Sequence, residues 1–256
     1  MRGYDLYRMF NVVVMLRNNL RQGEGSEYAQ IMERLRLGQL TFRDKQTLNA
    51  QLVDLAPASD ENLDIRPILV GSNKLRATLN RESVRAYARK HSEPVYRFRA
   101  RLLQGRNNTT PDIRTLERVY ALHDSSIGTG SFAMQLELAI GAPIMITKNV
   151  REEQRILNGT LGRVVKIQFA PNTIFQETIE DGVAIRSADR LPDLVFLSLR
   201  GSEHIQLQPN LPPGIVAVSP LTATSVSVKI SKKKSLSFTV TQLPFVLAFS
   251  LTVVKS

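Results

Sequence analysis

Arg21 is the residue whose type and position most directly suggest chemistry. It follows an apolar, strand-like run at residues 9–16 and precedes Ser26, a residue type that starts helices. An arginine at such a junction can project from a sheet edge, where its planar guanidinium pairs with two oxygens of a phosphate. The same spacing also fits the interpretation that Arg21 is a surface arginine that pairs with Glu24 or Glu27. Taken alone, the spacing favours this second interpretation.

The sequence contains no complete motif for nucleotide hydrolysis or metal catalysis. The stretch GTGS at residues 128–131 lacks the lysine and the Ser/Thr that complete a phosphate-binding P-loop, so we predict a flexible interdomain turn there. No apolar strand ends in paired carboxylates of the kind that hold Mg²⁺. The chain has no cysteine and three histidines, no two of which lie at metal-ligand spacing. Disulfides, thiolate zinc sites and a cysteine nucleophile are therefore excluded, and a zinc enzyme is disfavoured.

Charge points to a polyanionic partner. The chain of 256 residues carries a formal net charge of +11. Between Lys74 and Arg118 lie 12 basic and 4 acidic residues, so +8 of the +11 falls in this basic stretch. Clustered positive charge favours nucleic acid or an anionic membrane surface. A solvated helix face is the alternative, and charge alone does not separate the two.

Local signals predict helices in the first half of the chain. Ser26 is expected to cap a helix that Gly38 ends, and Thr41 with Asp44 has the pattern of a capping box that opens a second helix. The apolar run RPILV is followed by a polar turn and by a basic helix over residues 73–90. A strand, a turn and a helix in this order predict a βαβ-type, mostly parallel sheet.

The second half, from about residue 136, is predicted to be made of short strands separated by glycine, proline and asparagine. Asn158-Gly159 is a hairpin signal in which both turn positions take positive φ. This spacing predicts a small barrel or sandwich, with a domain boundary at residues 130–136. The apolar run at residues 236–254 contains Gln242 and Pro244, so it is a poor membrane helix and predicts a buried strand.

Four segments of the sequence resemble, in the same order, segments of the Pif-type DNA helicases and their relatives inside Helitron transposons. The first is Arg-Gln between an apolar strand and a helix, followed by RLRLGQLTFRD. The second is ILVGSNKLRATLN, with asparagines at positions 73 and 80 and with Ser72 where threonine is usual. The third is LAIGAPIMITKNV with RILNGTLGRVVKI, and the fourth is QLPFVLAFSLTVVKS. The resemblance covers nearly the whole chain and is weakest between residues 170 and 235.

This resemblance implies an α/β fold, namely the second RecA-like (P-loop NTPase-type) motor domain of such a helicase, incomplete and carrying an inserted small SH3-like β-barrel. Residues 1–135 are then expected to form the first part of the motor domain, and residues 136–240 the barrel. Residues 241–256 are expected to hold the strand that returns to the motor domain and a truncated DNA-contacting motif.

The resemblance also implies a role for Arg21. Helicases of this family are ATP-driven translocases that unwind DNA in the 5′ to 3′ direction, with ATP and Mg²⁺ bound between two RecA-like domains. The second domain supplies an arginine to the γ-phosphate. By position this is Arg21, with Gln22 beside it at the nucleotide, so the resemblance reverses the interpretation that spacing alone favours.

Contacts with DNA are implied for two further segments. Asn73 follows the strand of the second segment, and Thr252, Lys255 and Ser256 match polar members of the last one. Hydroxyl and ammonium groups are suitable donors to phosphate oxygens. Val254 stands where the family usually has histidine, and a valine side chain cannot donate such a hydrogen bond.

Lys232, Lys233 and Lys234 form the most concentrated basic run of the chain. In one interpretation, these lysines extend the DNA-binding surface from a loop of the barrel. In the other, which the sequence alone favours, they form a solvated turn. The partners expected from the resemblance are single-stranded or fork DNA and, if it is encoded separately, the first RecA-like domain. No membrane is expected as a partner.

Departures from the family pattern set expectations about activity. In the family the P-loop and the Mg²⁺-binding acidic pair precede the Arg21 motif, and Gln-Gly follows the position of Ser256. We therefore expect a truncated copy, a split gene model or a transposon remnant that binds neither ATP nor Mg²⁺ alone and shows no ATPase activity in isolation. The alternative from another class is a stand-alone basic nucleic-acid-binding module without motor activity. The compartment implied by the resemblance is the nucleus or mitochondrion in a eukaryote, and otherwise the cytoplasm.

Overall fold

The computed structural model of this chain describes residues 3–14, 25–51, 67–105, 108–120, 132–150, 156–231 and 234–252. The helices in these ranges are α1 (Gly3–Arg8), α2 (Glu27–Arg36), α3 (Phe42–Asn49), α4 (Asn73–His91) and α5 (Ile113–Tyr120). The strands are β1 (Ile68–Val70), β2 (Val95–Arg99), β3 (Arg101–Gln104), β4 (Gln135–Leu138), β5 (Pro143–Ile146), β6 (Leu161–Gln168), β7 (Phe175–Glu180), β8 (Val183–Ala188), β9 (Leu194–Leu199), β10 (Ile215–Val218), β11 (Leu221–Ser231), β12 (Lys234–Gln242), β13 (Phe245–Leu247) and β14 (Ser250–Thr252). The chain divides into two compact units, Met1–Ser59 and Asp60–Ser256.

The helices of the first unit begin and end where the sequence predicts. Ser26 Oγ accepts a hydrogen bond from the Ala29 amide at the start of α2, and Gly38, with φ of 69°, follows its end. The Thr41 hydroxyl accepts from the Asp44 amide at 3.2 Å, and the Asp44 carboxylate accepts from the Thr41 amide at 2.9 Å. The capping box at α3 is therefore confirmed, because each residue satisfies an amide that the helix leaves unpaired.

Arg34 joins α2 to α3 through the same carboxylate. Its guanidinium donates from Nε and Nη2 to the two oxygens of Asp44, at 2.7 and 2.6 Å. This paired hydrogen bond, together with the bonds from Thr41, holds the pKa of Asp44 well below its ordinary value. Asp44 is buried and charged, and its charge is matched within the unit.

The described strands of the second unit form four sheets, and most of their pairings are antiparallel. The strand orders are β1-β14, β10-β9-β6-β5-β13, β11-β12-β3 and β4-β2-β8-β7. Among the ten pairings of the described strands, only β1 with β14 and β2 with β8 are parallel. The expectation of a parallel sheet holds for β1, which pairs in parallel with β14. The other sheets are mostly antiparallel, because short connections such as the one between β7 and β8 return the chain directly as an antiparallel neighbour.

The described strands form open sheets and no closed barrel, which differs from the barrel expected over residues 136–240. The strands of that segment are divided among three sheets, and the five-stranded sheet has β10 and β13 as its two edges. Strands from earlier in the chain explain the difference, since β2 takes β4 and β8 as partners and β3 takes β12. Strands on both sides of residue 135 thus pair with each other, and the domain division at this residue stays a prediction.

Two clusters of buried apolar side chains form the core of the second unit. The larger cluster joins α4, through Val84 and Ala88, to the four-stranded and five-stranded sheets, where Phe98 and Phe245 are buried. The smaller cluster packs α5, through Val119, on the three-stranded sheet. The basic helix predicted over residues 73–90 is therefore held by its second half against both sheets.

The apolar run at residues 236–254 forms most of β12 and the strands β13 and β14, which lie in three different sheets. β13 pairs with β5 at the edge of the five-stranded sheet, and β14 pairs in parallel with β1. The buried-strand prediction is confirmed. No helix in the described part of the chain is long and apolar enough to cross a membrane.

Candidate nucleic-acid interface

One end of the β1–β14 pair brings together two of the residues predicted to contact DNA. Val70 lies opposite Thr252 in the parallel register, and the chain continues from Val70 through Gly71 and Ser72 into α4, whose first residue is Asn73. Ser72 caps this helix, since its hydroxyl accepts from the Leu75 amide at 3.2 Å. The carboxyl ends of two parallel strands and the start of a helix therefore meet at one edge, with Asn73 and Thr252 both partly exposed there.

A buried asparagine fixes the geometry of this edge. Asn80, on α4, donates from Nδ2 to the carbonyl oxygens of Leu247 and Ser250 at 3.1 and 3.0 Å. Its Oδ1 accepts from the Ser250 amide at 2.8 Å, and the Ser250 hydroxyl donates to the Arg76 carbonyl at 3.0 Å. The turn between β13 and β14 is thus tied to α4 by four hydrogen bonds, and these set the position of β14 and of Thr252.

A cluster of charged side chains, here called the ion cluster, ties the middle of α4 to the four-stranded sheet. Its members are Arg85 on α4, Arg97 on β2, Glu137 on β4, Glu180 at the end of β7 and Asp181 in the following turn. Arg85 contacts all three carboxylates at 2.8–3.3 Å, and Arg97 contacts Glu137 and Glu180 at 2.7–2.9 Å. Each buried charge therefore has a partner of opposite sign.

Electrostatics within the ion cluster favour the charged forms. Hydrogen bonds from Arg97, reinforced by Arg85, lower the pKa of Glu180 to about 2. The same carboxylate raises the pKa of Arg97 above its ordinary value, with Glu137 contributing. The cluster therefore holds α4 in place over the pH range in which proteins normally work.

The remaining predicted contact residues fall at or outside the limits of the described residues. Arg21, Gln22, Lys232, Lys233, Lys255 and Ser256 lie outside them. Lys234 is the first residue of β12 and pairs with Ser231, so it lies at the end of a hairpin of the three-stranded sheet, and not in the loop of a closed barrel. The structure brings Asn73 and Thr252 together, and the role of every predicted site residue stays a prediction.

Two features of this region escaped the sequence analysis although a signal for each was present. The basic stretch contains RFRAR at residues 97–101, whose alternation places Arg97, Arg99 and Arg101 on one face of an extended chain. The pair Asp181-Gly182 has the composition of a two-residue hairpin turn, and both residues have positive φ, 51° and 74°. This turn joins β7 to β8 and presents Asp181 to Arg85.

Solved structures of other proteins are similar in fold to this chain. A crystal structure of the Pif1 helicase from a Bacteroides species, in complex with ADP-AlF4, matches 91% of this chain with a TM-score of 0.51 and 16% identity. A double mutant of the Bacteroides Pif1 helicase matches the same share with a TM-score of 0.50 and 16% identity. The chain shares the fold of part of a Pif1 helicase. It spans about 40% of the length of each of these two structures.

The Pif1 fold confirms the resemblance drawn from the four sequence segments. The likeness extends over 91% of the chain. No protein-family model and no curated protein matches the sequence. At 16% identity the likeness establishes the fold, and the functional assignment rests on the residues of this chain.

Proposed function

We propose that this chain is a segment of a Pif-type, ATP-dependent 5′ to 3′ DNA helicase and that it contributes a surface for single-stranded or fork DNA. The fold likeness over 91% of the chain supports the helicase part of the proposal. The DNA part rests on one juxtaposition: Asn73 and Thr252 lie at the same edge, beside the amino-terminal end of α4. Amide and hydroxyl side chains at such an edge are donors suited to phosphate oxygens.

The fold assignment within this proposal is more specific. We assign β1, α4 and β14 to the second RecA-like motor domain, supported by a parallel strand pair whose first strand leads directly into a packed helix. We assign β5, β6, β9 and β10 to the SH3-like insertion, supported by their consecutive antiparallel pairing. On this assignment, β13 and β14 return the chain from the insertion to the motor domain.

ATP and Mg²⁺ belong, in this proposal, to the assembled two-domain enzyme. Arg21 would donate to the γ-phosphate of an ATP held by a first motor domain, with Gln22 beside the nucleotide. The Bacteroides Pif1 helicase with the same fold was solved with ADP-AlF4. Within the described residues, no group of three or more acidic or histidine side chains is placed to hold a metal ion. We accordingly assign no step to a magnesium ion in this chain.

Further DNA contacts are assigned to residues around this edge. Lys255 and Ser256 follow Thr252 in sequence, and we assign phosphate contacts to both. Lys232 and Lys233 lie between β11 and β12 in sequence, Lys234 is the first residue of β12, and we assign DNA contacts to all three. Ammonium groups contribute a salt-sensitive attraction that does not depend on DNA sequence.

Fluorescence anisotropy with a labelled oligothymidylate tests the DNA assignment. The variant Asn73→Ala/Thr252→Val should raise the Kd about tenfold, because two hydrogen bonds to charged oxygens are lost. The variant Asn49→Ala/Thr224→Val makes the same chemical changes at exposed positions of α3 and β11 and should leave the Kd unchanged. Equal Kd values for the two variants would overturn the assignment.

ATP hydrolysis by the purified chain tests the assignment of the nucleotide site. The expected result is no DNA-stimulated hydrolysis, since the chain contains no P-loop pattern. Hydrolysis at a DNA-stimulated rate would overturn it. The alternative of a stand-alone basic module is not favoured, because 91% of the chain adopts the fold of part of a helicase.

A further inference from the structure

A groove in the second unit, distinct from the Asn73 edge, carries arginines that have no assigned role. Its volume is about 1090 Å³, which exceeds the usual range of about 300–1,000 Å³ for small-molecule pockets. Its lining includes the extended run from β2 into β3, Tyr120 of α5, residues of β7 and residues 187–193. A groove of this size suits an extended ligand better than a small molecule.

Arg99 and Arg101 supply the uncommitted positive charge of this groove. Both are exposed, and they lie two positions apart on the face that also carries Arg97. Within the described residues, neither Arg99 nor Arg101 forms an ion pair, whereas Arg97 is committed to Glu137 and Glu180. Two guanidinium groups are therefore available to a ligand in the groove.

Each acidic residue of the groove lies near an arginine. Glu180 accepts from Arg97 at 2.7 and 2.8 Å. Asp189 accepts from Arg190 at 3.2 Å, and the charge of Asp193 also acts on Arg190. Asp189 and Asp193 thus share one arginine, and with Arg99 and Arg101 the groove keeps more arginines than carboxylates.

Tyr120 holds Arg99 in place. The Arg99 guanidinium lies 5.0 Å from the centre of the Tyr120 ring, and the Tyr120 hydroxyl donates to the Ala100 carbonyl at 2.7 Å. A cation over an aromatic face that is itself hydrogen-bonded has fewer conformations to lose when a ligand binds. Gln135, Gln176 and Thr241 add neutral hydrogen-bonding groups to the lining.

We propose that this groove binds the phosphodiester backbone of a single strand of nucleic acid, with Arg99 and Arg101 contacting phosphates and Tyr120 positioning Arg99. Arginine forks with amide and hydroxyl side chains are the groups that contact phosphates and sugars in such interfaces. The choice of ligand rests on the proposed function. The placement of the site rests on the groove itself.

The test measures binding of a labelled oligothymidylate and a labelled oligouridylate over a series of salt concentrations. For Arg99→Ala/Arg101→Ala the Kd should rise about tenfold or more, and the slope of log K against log salt should fall by about 1.4, because each single-strand phosphate contact contributes about 0.7. The control Arg43→Ala/Lys45→Ala removes the same charge from exposed positions of α3 and should keep the wild-type slope. Arg99→Lys/Arg101→Lys keeps the charge and should keep most of the slope.

The outcomes separate this groove from the Asn73 edge. If the groove variant behaves as the α3 control while Asn73→Ala/Thr252→Val weakens binding, the groove proposal is overturned and the proposed function stands. If only the groove variant weakens binding, the groove stands and the Asn73 assignment falls. Binding of neither oligonucleotide by the wild-type chain overturns both.

Equal loss for both oligonucleotides identifies the shared phosphodiester as the ligand, and loss for oligothymidylate alone identifies DNA. Thermal melting checks that the groove variant still folds cooperatively with a Tm close to that of the wild type, since both side chains are exposed and only the contact of Arg99 with the Tyr120 ring is lost.

Discussion

The Asn80 side chain closes a reciprocal pair of hydrogen bonds with the backbone of Ser250, accepting from its amide at 2.8 Å and donating to its carbonyl at 3.0 Å. The two residues are 170 positions apart in the sequence. Both are buried, so neither can exchange these bonds for bonds to water. The pair joins the helix that begins with Asn73 to the strand that ends with Thr252.

Replacing Asn80 with alanine should lower the free energy of unfolding by about 3 kcal/mol. The substitution leaves the Ser250 amide and two carbonyl oxygens buried without this partner, and each buried unsatisfied group costs about 1–3 kcal/mol. Asn80→Asp should be at least as damaging, because a carboxylate would face the two carbonyl oxygens that now accept from Nδ2. Urea unfolding followed by circular dichroism measures both changes.

The matched control for Asn80 is Ser250→Ala. This variant loses the hydroxyl bond to the Arg76 carbonyl but keeps the backbone bonds to Asn80, so a loss of about 1 kcal/mol is expected. If Ser250→Ala proved as destabilising as Asn80→Ala, the side chain of Asn80 would not be the main tie between α4 and β14.

Acid should weaken the second unit through Glu180. The pKa of Glu180 is lowered to about 2 in the folded chain, from 4.5, so the unfolded chain binds the proton more readily. The stabilisation from Glu180 is therefore fully present above about pH 4.5 and is lost as the pH falls toward about 2. Urea midpoints measured across this range should fall less steeply for Glu180→Gln than for the wild type.

A control on the same strand is Glu177→Gln, which removes an exposed carboxylate that pairs with Arg186 at 2.6 Å. Exposed ion pairs contribute little, so the acid dependence should stay close to that of the wild type. A wild-type acid dependence in Glu180→Gln would contradict the assignment of the effect to the ion cluster.

Arg97→Ala should destabilise the second unit at neutral pH by about 3 kcal/mol. Its loss leaves the buried Glu137 with Arg85 alone, and breaking a buried ion pair is costly because one charge stays buried without its full complement of partners. Thermal melting of this variant should show a lower Tm. By contrast, Arg99→Ala is expected to change the Tm much less, since Arg99 is exposed, forms no ion pair in the described residues and loses only its contact with the Tyr120 ring.

Local features of this fold could be predicted from the sequence because their causes lie within a few residues. Ser26, Gly38 and the Thr41-Asp44 box are recognised by residue type and by a spacing of three. The turn at Asn158-Gly159 was predicted in position, and the strands on its two sides, β5 and β6, do pair. Its geometry differs from the prediction, since only Gly159 has positive φ, 93°, within a loop longer than two residues.

The sheet arrangement could not be predicted because its partners are distant in sequence. The periodicity of apolar residues predicts where a strand lies but not which strand it pairs with. β2 pairs with β8, and β3 pairs with β12. The same limit applies to the candidate site: Asn73 and Thr252 were each proposed from motif likeness. Their shared edge follows from the pairing of β1 with β14, and the bonds of Asn80 stabilise it.

Gly162 should not tolerate even one added methyl group. A Cβ built at this residue of β6 would lie 2.5 Å from the Ser198 carbonyl oxygen on β9, and a backbone atom cannot move aside without disturbing the strand pairing. Gly162→Ala should therefore cost about 1–3 kcal/mol, as overpacking does. The control Gly71→Ala places its Cβ in open space at ordinary φ and should be tolerated. Urea unfolding of the two variants side by side checks the prediction, which similar midpoints would contradict.

Removing the capping box of α3 should destabilise the start of this helix, in the first unit. Thr41→Ala removes the acceptor for the Asp44 amide and should cost about 1 kcal/mol, whereas Thr41→Ser keeps the hydroxyl and should cost little. Hydrogen exchange should become faster for amides in the first turn of α3 in Thr41→Ala. The protection factors of the same amides, which compare their exchange with that of an unfolded chain at the same pH, should also fall in acid, because the lowered pKa of Asp44 means that its stabilising contacts are lost as the pH falls below its ordinary pKa. Unchanged exchange in Thr41→Ala, with Thr41→Ser equally unaffected, would show that packing and not the cap sets the stability of this helix start.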